Sequence, residues 1–465
     1  MDQKFKDNNM KIIDKRIIKM LCVFIFTISF VFSDEFFYKI DQLIQNGKYN
    51  EAIQILERNR QKIGIDYYTV LAVIYAHKGR DYNEILQKAR KIFVDSETDT
   101  EKKDRNFSKI LYTYGYIEYY INSDTYRAEI FLKESIKYNP NNDRSLITLA
   151  QINYDRNQTD TAEELLDRTF EILKTNNSIT EEFLKIYNQV LLENRRYNKI
   201  AKIMKPYVDK FDTVKLFYSK ALAYNSEYIE ANNIIKSFLY KNNDNLEAYY
   251  ILGLTYKDSK IRANEGLELI EKLNKEKNDR YYIKLAQFYE GLEDIDMAIN
   301  YYDKALSINK NNDKYYILAI TYAIDKGVTS RAINWAIEYY NKKPNDFHAN
   351  LFLAICYEYQ KQFDKSKEYY YRSIDIDPTR YESYVRLAWI VLEQEEDFNT
   401  CAEVLLKGYK NIKDNYYKNR IRKALKDLLE LEEEYKKRYK QKTGKDIPKP
   451  ISPTVKEQIK GIITE

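Results

Sequence analysis

AINYYDKALSINKNND (residues 298–313), AINWAIEYYNKKPND (332–346) and SKEYYYRSIDIDPTR (366–380) are three copies of one pattern. Each opens on a small residue, with an apolar or small residue four positions on and another three further: Ala298, Tyr302 and Ala305; Ala332, Ala336 and Tyr339; Ser366, Tyr370 and Ser373. A 4-then-3 spacing puts all three on one face of a helix. Pro344 and Pro378 stand twelve residues after their opening residue, as Pro140 does after Ala128, where a proline ends the helix and turns the chain.

Working outward, the same opening position recurs at Ala52, Ile85, Ala128, Ala162, Ile200, Ala231, Gly266, Ala298, Ala332, Ser366 and Cys401. Most steps lie near 34 residues, and the longest, 43, runs from Ile85 to Ala128 through the polar stretch VDSETDTEKKDRNFS, expected to be a loop insertion or an extended helix end. Ahead of the opening residue lies a second apolar helix, as in YYILGLTY (249–256), YYIKLAQFY (281–289), KYYILAITYA (314–323) and SYVRLAWIVL (383–392). Leu252-Gly253, Leu285-Ala286, Leu318-Ala319 and Leu387-Ala388 supply a small residue that lets a partner helix come close. Each unit is therefore a helix–turn–helix pair, and a period in this range means stacked units in place of one closed core.

This arrangement resembles the tetratricopeptide repeat family. The resemblance rests on Leu285, Ala286, Tyr289, Ala298, Tyr302 and Ala305 in one unit, on Leu353, Ala354, Tyr357, Phe363, Tyr370 and Pro378 in another, and on Gly47, Tyr49 and Ala52 in the first. It implies an all-α, right-handed superhelical solenoid of about eleven helix–turn–helix repeats over residues 34–413, with the units around Ile200 and Ala231 degenerate. It also implies that the first helix of each pair lines a concave groove. Carried onto this sequence, the groove positions give Tyr112, Tyr116, Tyr119, Tyr154, Tyr250, Tyr316 and Trp389 as binding candidates, with Ile147, Gln151, Lys257, Arg280, Ile283, Gln287, His348 and Glu358 beside them. These positions are mostly aromatic, aliphatic or acidic, so the carboxylate clamp of some family members is not expected.

Composition agrees with long helices: in 465 residues there are only 11 Gly and 7 Pro. Tyr numbers 46, an excess assigned mainly to the aromatic demands of the repeat and to coding bias. The net charge is +5, and +3 of it lies in residues 1–33. The remainder, at +2 with both signs interspersed, lacks the one-sided basic field that nucleic acid requires. The histidines, His77 and His348, lie far apart, and no metal-ligand spacing or catalytic motif occurs. No catalysis and no cofactor are expected. Cys356 and Cys401 read as small buried hydrophobes, with a disulfide between them as the alternative.

Lys11, Lys15, Arg16 and Lys19 precede the apolar run Met20–Phe32 and the small Ser33, the order of a signal peptide cleaved before Asp34. An uncleaved N-terminal anchor is the rival reading, and either places the repeats outside the cytoplasm, in the periplasm or envelope of a bacterium. Residues 414–442, with Ile421, Leu425, Leu428, Leu429 and Leu431 at helical spacing, are expected to form a charged capping helix. Residues 443–465 carry Pro448, Pro450 and Pro453 and are expected to be disordered. The function expected is a non-catalytic scaffold for an unknown protein or peptide, within an envelope complex, touching the membrane only through the leader. The alternative is a helper of polysaccharide export or glycan binding.

Overall fold

The computed structural model describes residues 35–464 except 123, 157, 259–261 and 413–414. The expected leader, with its cleavage site, lies outside the described residues. Among the described residues the chain is all-α, with 24 α-helices and no strand. It divides into two units at Arg196, the second comprising 197–412 and 420–464.

The N-terminal unit stacks four helix pairs and a ninth helix. These are α1 (Glu35–Gln45) with α2 (Tyr49–Ile63), α3 (Ile65–His77) with α4 (Asn83–Arg90), α5 (Thr100–Tyr116) with α6 (Thr125–Tyr138), α7 (Asp143–Asp155) with α8 (Thr159–Thr175), and α9 (Glu181–Glu193). The long spacing after Ile85 resolves into π-helical turns at Lys91–Asp95 and Ile117–Ile121 and a 17-residue α5. The buried residue that opens the second unit is Leu86, one position after the expected Ile85.

The C-terminal unit opens with α10 (Tyr197–Met204) and a 3-10 turn at Lys205–Tyr207, which shorten the degenerate repeat. Regular pairs follow: α11 (Asp212–Tyr224) with α12 (Tyr228–Lys241), α13 (Leu246–Leu254) with α14 (Ala263–Leu273), and α15 (Asp279–Gly291) with α16 (Ile295–Ile308). Then come α17 (Asp313–Asp325) with α18 (Thr329–Lys342), α19 (Phe347–Tyr359) with α20 (Phe363–Ile376), and α21 (Tyr381–Glu395) with α22 (Phe398–Asn411).

Local chemistry fixes each element. Several turns between pairs end in Asn or Asp, whose side chain accepts a backbone N–H of the next first helix: Asn142 from Ser145, Asn245 from Ala248, Asn278 from Tyr281 and Asp346 from Ala349. Each such cap satisfies an orphan donor and contributes about 1 kcal/mol. Within pairs the turn needs one left-handed residue. Gly47, Gly79 and Gly327 supply it without strain, but Ser226, Glu293, Lys361 and Glu396 adopt it at φ 65, 59, 59 and 49°. Helices α6, α18 and α20 stop two residues before Pro140, Pro344 and Pro378. The opening residues Ala52, Ala128, Ala162, Ala231, Ala298, Ala332 and Ser366 are wholly buried between their helices. Cys356 and Cys401 are buried free thiols, and burial pushes Cys356 up to about 12. In α18 the Trp335 indole donates to Asp303 at 2.9 Å.

Helix α23 (Asn415–Thr443) buries Ile421, Leu425 and Leu428, with the Ile421 side chain close over Gly408 of α22. The stretch from 443 to 464 corrects the expectation of disorder. It forms an extended strap and a last helix, α24 (Pro453–Thr464), and buries Ile447, Ile451, Val455, Ile459 and Ile462. The strap is tied by Phe398 N to Lys449 O at 3.1 Å, Ile451 N to Glu432 Oε1 at 2.7 Å and Lys456 Nζ to Glu432 Oε2 at 2.7 Å. Of the prolines that suggested disorder, Pro448 and Pro450 hold the strap extended and Pro453 opens α24. Val455, Ile459 and Ile462 repeat the 4-then-3 spacing used everywhere else in the chain.

Candidate functional site

In the N-terminal unit α3 packs against α5 and α5 against α7, and their outer flanks share one face; in the C-terminal unit α11 packs against α13 and α13 against α15. In the N-terminal unit this face carries a cleft of about 290 Å³. Its floor comes from α3 (Asp66, Thr69), α5 (Lys109, Tyr112, Thr113) and the start of α7 (Asp143, Arg144). Its rim comes from the turns at Asn139, Asn141 and Asn142 and at Ser178 and Thr180. Lys109 Nζ meets Asp66 at 2.9 and 3.1 Å. Below the floor, Asn142 Nδ2 donates to Ser108 Oγ at 2.8 Å and to Ser135 Oγ at 3.1 Å, which locks the turn to the pair beneath it. Two cations, two carboxylates and a set of amides and hydroxyls make a near-neutral cleft rich in donors and acceptors.

The sequence-derived residues divide between this face and the core. Tyr112 lines the cleft, yet its ring is buried and burial pushes its hydroxyl up to about 12. Tyr116 and Tyr119 are corrected from ligand-facing to packing positions: the rings of Tyr112, Tyr116, Tyr120 and Tyr119 form a ladder with neighbouring centroids 6.1, 4.7 and 4.6 Å apart. At its end the Tyr119 hydroxyl donates to Asp155, which also takes Gln151 Nε2 at 2.7 Å. Tyr316 is likewise core: it stacks on Tyr339 at 5.2 Å with the rings 4° apart. The reason is shared. Each ring is covered by aromatic partners, Tyr116 by Tyr112 and Tyr120, Tyr119 by Tyr120, and Tyr316 by Tyr339 of the helix paired with its own.

Three candidates stay half-buried on the first-helix face: Tyr154, Tyr250 and Trp389. Tyr154 accepts from Gln189 Nε2 at 3.1 Å, and the Tyr250 hydroxyl lies 3.3 Å from that of Tyr224, beneath Lys220. His348 is half-buried against Phe347 and Phe352, and burial lowers its pKa. His77 is exposed and stacks on Tyr49.

In the C-terminal unit the closest crossing is backbone to backbone. A Cβ on Gly253 of α13 would sit 2.0 Å from Phe288 O of α15, and one on Gly291 would sit 2.0 Å from Tyr250 O. Ion pairs bridge successive first helices or their turns: Lys220 to Glu247 at 2.8 Å, Lys257 to Glu293 at 2.8 Å, and Arg386 to Glu358 at 3.1 Å. Glu290 was not singled out in the sequence, where a carboxylate in a helix reads as solvated. It is half-buried, and it accepts the Tyr302 hydroxyl and Gln287 Nε2, the latter at 2.9 Å. Burial pushes its carboxyl up to about 8, against the downward pull of the Tyr302 hydrogen bond and of Lys326.

Residues 279–312 and 347–380 match the family model of the tetratricopeptide repeat. Among solved structures, YrrB, described as a TPR protein with an unusual peptide-binding site, is 19% identical over 39% of this chain and 96% of its own, with a TM-score of 0.24. MamA from Desulfovibrio magneticus RS-1 is 16% identical over 45% and 94%, with a TM-score of 0.26. The human IFIT1 dimer with m7Gppp-AAAA is 15% identical over 75% and 85%, with a TM-score of 0.34. No curated protein matches the chain in sequence. Two of this chain's helix pairs, α15 with α16 and α19 with α20, are thus matched as tetratricopeptide repeats.

Proposed function

We propose that this chain is a non-catalytic scaffold, acting outside the cytoplasm, that holds a segment of a protein partner on the first-helix face of its N-terminal unit. The observation that carries the reading is the cleft across α3, α5 and α7, where Lys109, Arg144, Asp66 and the turn asparagines converge on one open volume. An extended polypeptide presents a donor and an acceptor at every residue. A near-neutral cleft of amides, hydroxyls and both charge signs answers that pattern better than it answers a strongly charged ligand. Location outside the cytoplasm rests on the basic-then-apolar order of residues 11–33.

The test is capture from an envelope extract of the source organism by the wild-type chain and by Thr69→Arg, which fills the cleft floor. A specific protein held by the first and lost by the second supports the reading. Equal capture by both refutes the cleft as the seat, and recovery of a polysaccharide with no protein refutes the protein partner. N-terminal sequencing of the exported chain should begin at Asp34. A sequence that begins upstream assigns the leader as an anchor.

A further inference from the structure

Lys284 of α15 is 4% exposed, whereas the lysines of the neighbouring ion pairs, Lys220 and Lys257, keep 21 and 42% of their side chains in solvent. A lysine is seldom buried unless its amine is engaged. Here Nζ meets Asn274 Oδ1 at 2.7 Å and Asp244 Oδ1 at 2.9 Å, beside the wholly buried Tyr249, whose ring centroid lies 5.6 Å away. The three groups come from three places: Asp244 from the turn before α13, Asn274 from the residue that follows α14, and Lys284 from the middle of α15. The Asn274 amide is fixed in direction, because its Nδ2 donates to Ile270 O at 2.7 Å while its oxygen faces the amine.

This arrangement sets a nucleophile against an acyl carbon. With a carbonyl bond of about 1.23 Å, the contact to Oδ1 leaves Nζ about 3–4 Å from Asn274 Cγ, at the edge of a near-attack distance. Asp244 is a neighbour of another kind. Its side chain is 73% exposed, and the hydrogen bond from Lys284 holds its carboxyl below the usual range. It is thus ionised at neutral pH and stands as a proton acceptor between the amine and solvent. An amine, an amide carbon and a carboxylate so placed are the nucleophile, electrophile and base of an acyl transfer.

We infer that Lys284 and Asn274 form a covalent modification site, an isopeptide bond that the chain makes on itself with Asp244 as the proton carrier. Nζ passes one proton to Asp244 and attacks Asn274 Cγ, and the Nζ–Cγ bond forms. Asp244 hands that proton to Nδ2, the Cγ–Nδ2 bond breaks, and ammonia leaves. The second proton lost by Nζ goes through Asp244 to the ammonia, which departs as ammonium past the exposed carboxylate. Asp244 ends as it began, the new amide is neutral, and no oxidant or other reactant is consumed. The bond ties the end of α14 to the middle of α15. In a chain whose described cysteines are free thiols, it is a staple that no reductant opens.

The experiment is trypsin digestion and mass spectrometry of the purified full chain, held overnight at growth temperature and then unfolded in urea. The wild type is expected to give residues 273–275 joined through Asn274 to residues 281–304, uncut at Lys284 and one ammonia lighter than the two peptides together. Lys284→Arg and Asn274→Ala, checked for helicity, are expected to give unlinked peptides only. Asp244→Asn, at an exposed position, is expected to link about a hundredfold more slowly than the wild type. Unlinked peptides from the wild type overturn the isopeptide bond and leave the cluster an ion pair. Linking by Asp244→Asn at the wild-type rate overturns Asp244 as the proton carrier.

Discussion

Replacing Gly253 by Ala tests the close crossing of α13 and α15 through the sign of its effect. Gly253 lies inside a helix with ordinary φ, where Ala is the better residue by about 1 kcal/mol. Propensity alone therefore makes Gly253→Ala stabilising. The structure says otherwise, because the new methyl meets Phe288 O at 2.0 Å, Gly291 Cα at 2.9 Å and Leu292 N at 3.0 Å. All three are backbone atoms, so no side-chain rotation relieves the contact. The helices must part by more than about 1 Å, a gap that forfeits a quarter to a half of the dispersion energy of the facing atoms. The core packed at this crossing includes Tyr249, Leu252, Leu285 and Phe288. Overpacking of this kind costs about 1–3 kcal/mol, more where backbone must move, and it outweighs the propensity gain. The net expectation is a loss of about 2 kcal/mol, read as a lower urea midpoint by circular dichroism. Gly461→Ala, where a Cβ meets nothing within 4 Å inside α24, is the control and should be neutral or slightly stabilising. A Gly253→Ala chain at least as stable as the wild type refutes the crossing as described.

The remaining expectations are quickly put to the test. Lys361→Gly relieves a left-handed turn at φ 59° and should raise stability by about 1 kcal/mol; an unchanged or lower urea midpoint contradicts the strain argument. Tyr116→Ala empties a buried position and should cost about 3 kcal/mol of stability, whereas Tyr154→Ala, half-buried, should cost about 1 kcal/mol. Similar midpoints for the two variants would return Tyr116 to the surface. Glu290 is surrounded by Gln287, Tyr302, Tyr250, Tyr322, Asp325 and Lys326, and its carboxyl is held near 8 in the fold against about 4.3 when unfolded. The folded chain then keeps a proton that the unfolded chain releases. The stability this brings is full below about pH 4.3 and lost as pH rises through about 8. Glu290→Gln should flatten the fall in urea midpoint between pH 6 and 8.5, and an equal fall in both chains sinks the assignment.

How far the sequence could be read depended on which interactions are local. Helix pairs follow from spacings within about 35 residues, so Ala298, Tyr302 and Ala305 already announce their face, and Pro344 and Pro378 announce their turns. What a groove position faces depends on how closely neighbouring first helices pack, and that distance is set across units. Tyr116, Tyr119 and Tyr316 therefore read as ligand-facing and are buried, while Tyr154, Tyr250 and Trp389 stay half-exposed. The cleft escaped notice because its rim comes from inter-pair turns at Asn139–Asn142 and Ser178–Thr180, which read only as breaks between helices. The strap escaped because its order comes from Glu432, a charged residue whose burial depends on Ile451 N and Lys456 arriving from later in the chain. Glu290 shows the same blindness: composition gives its charge, and only tertiary packing buries it.

The chain has two tryptophans, Trp335 and Trp389, and both sit in the C-terminal unit. Indole emission is thus an optical label for that unit alone, with Trp335 held at Asp303 as its best-defined reporter. Far-ultraviolet ellipticity, by contrast, sums over every helix of both units. Recorded on one denatured sample, the two signals separate the melting of the C-terminal stack from that of the whole. Coincident curves mean one cooperative transition, and an ellipticity loss that precedes the emission change means an N-terminal stack that opens by itself.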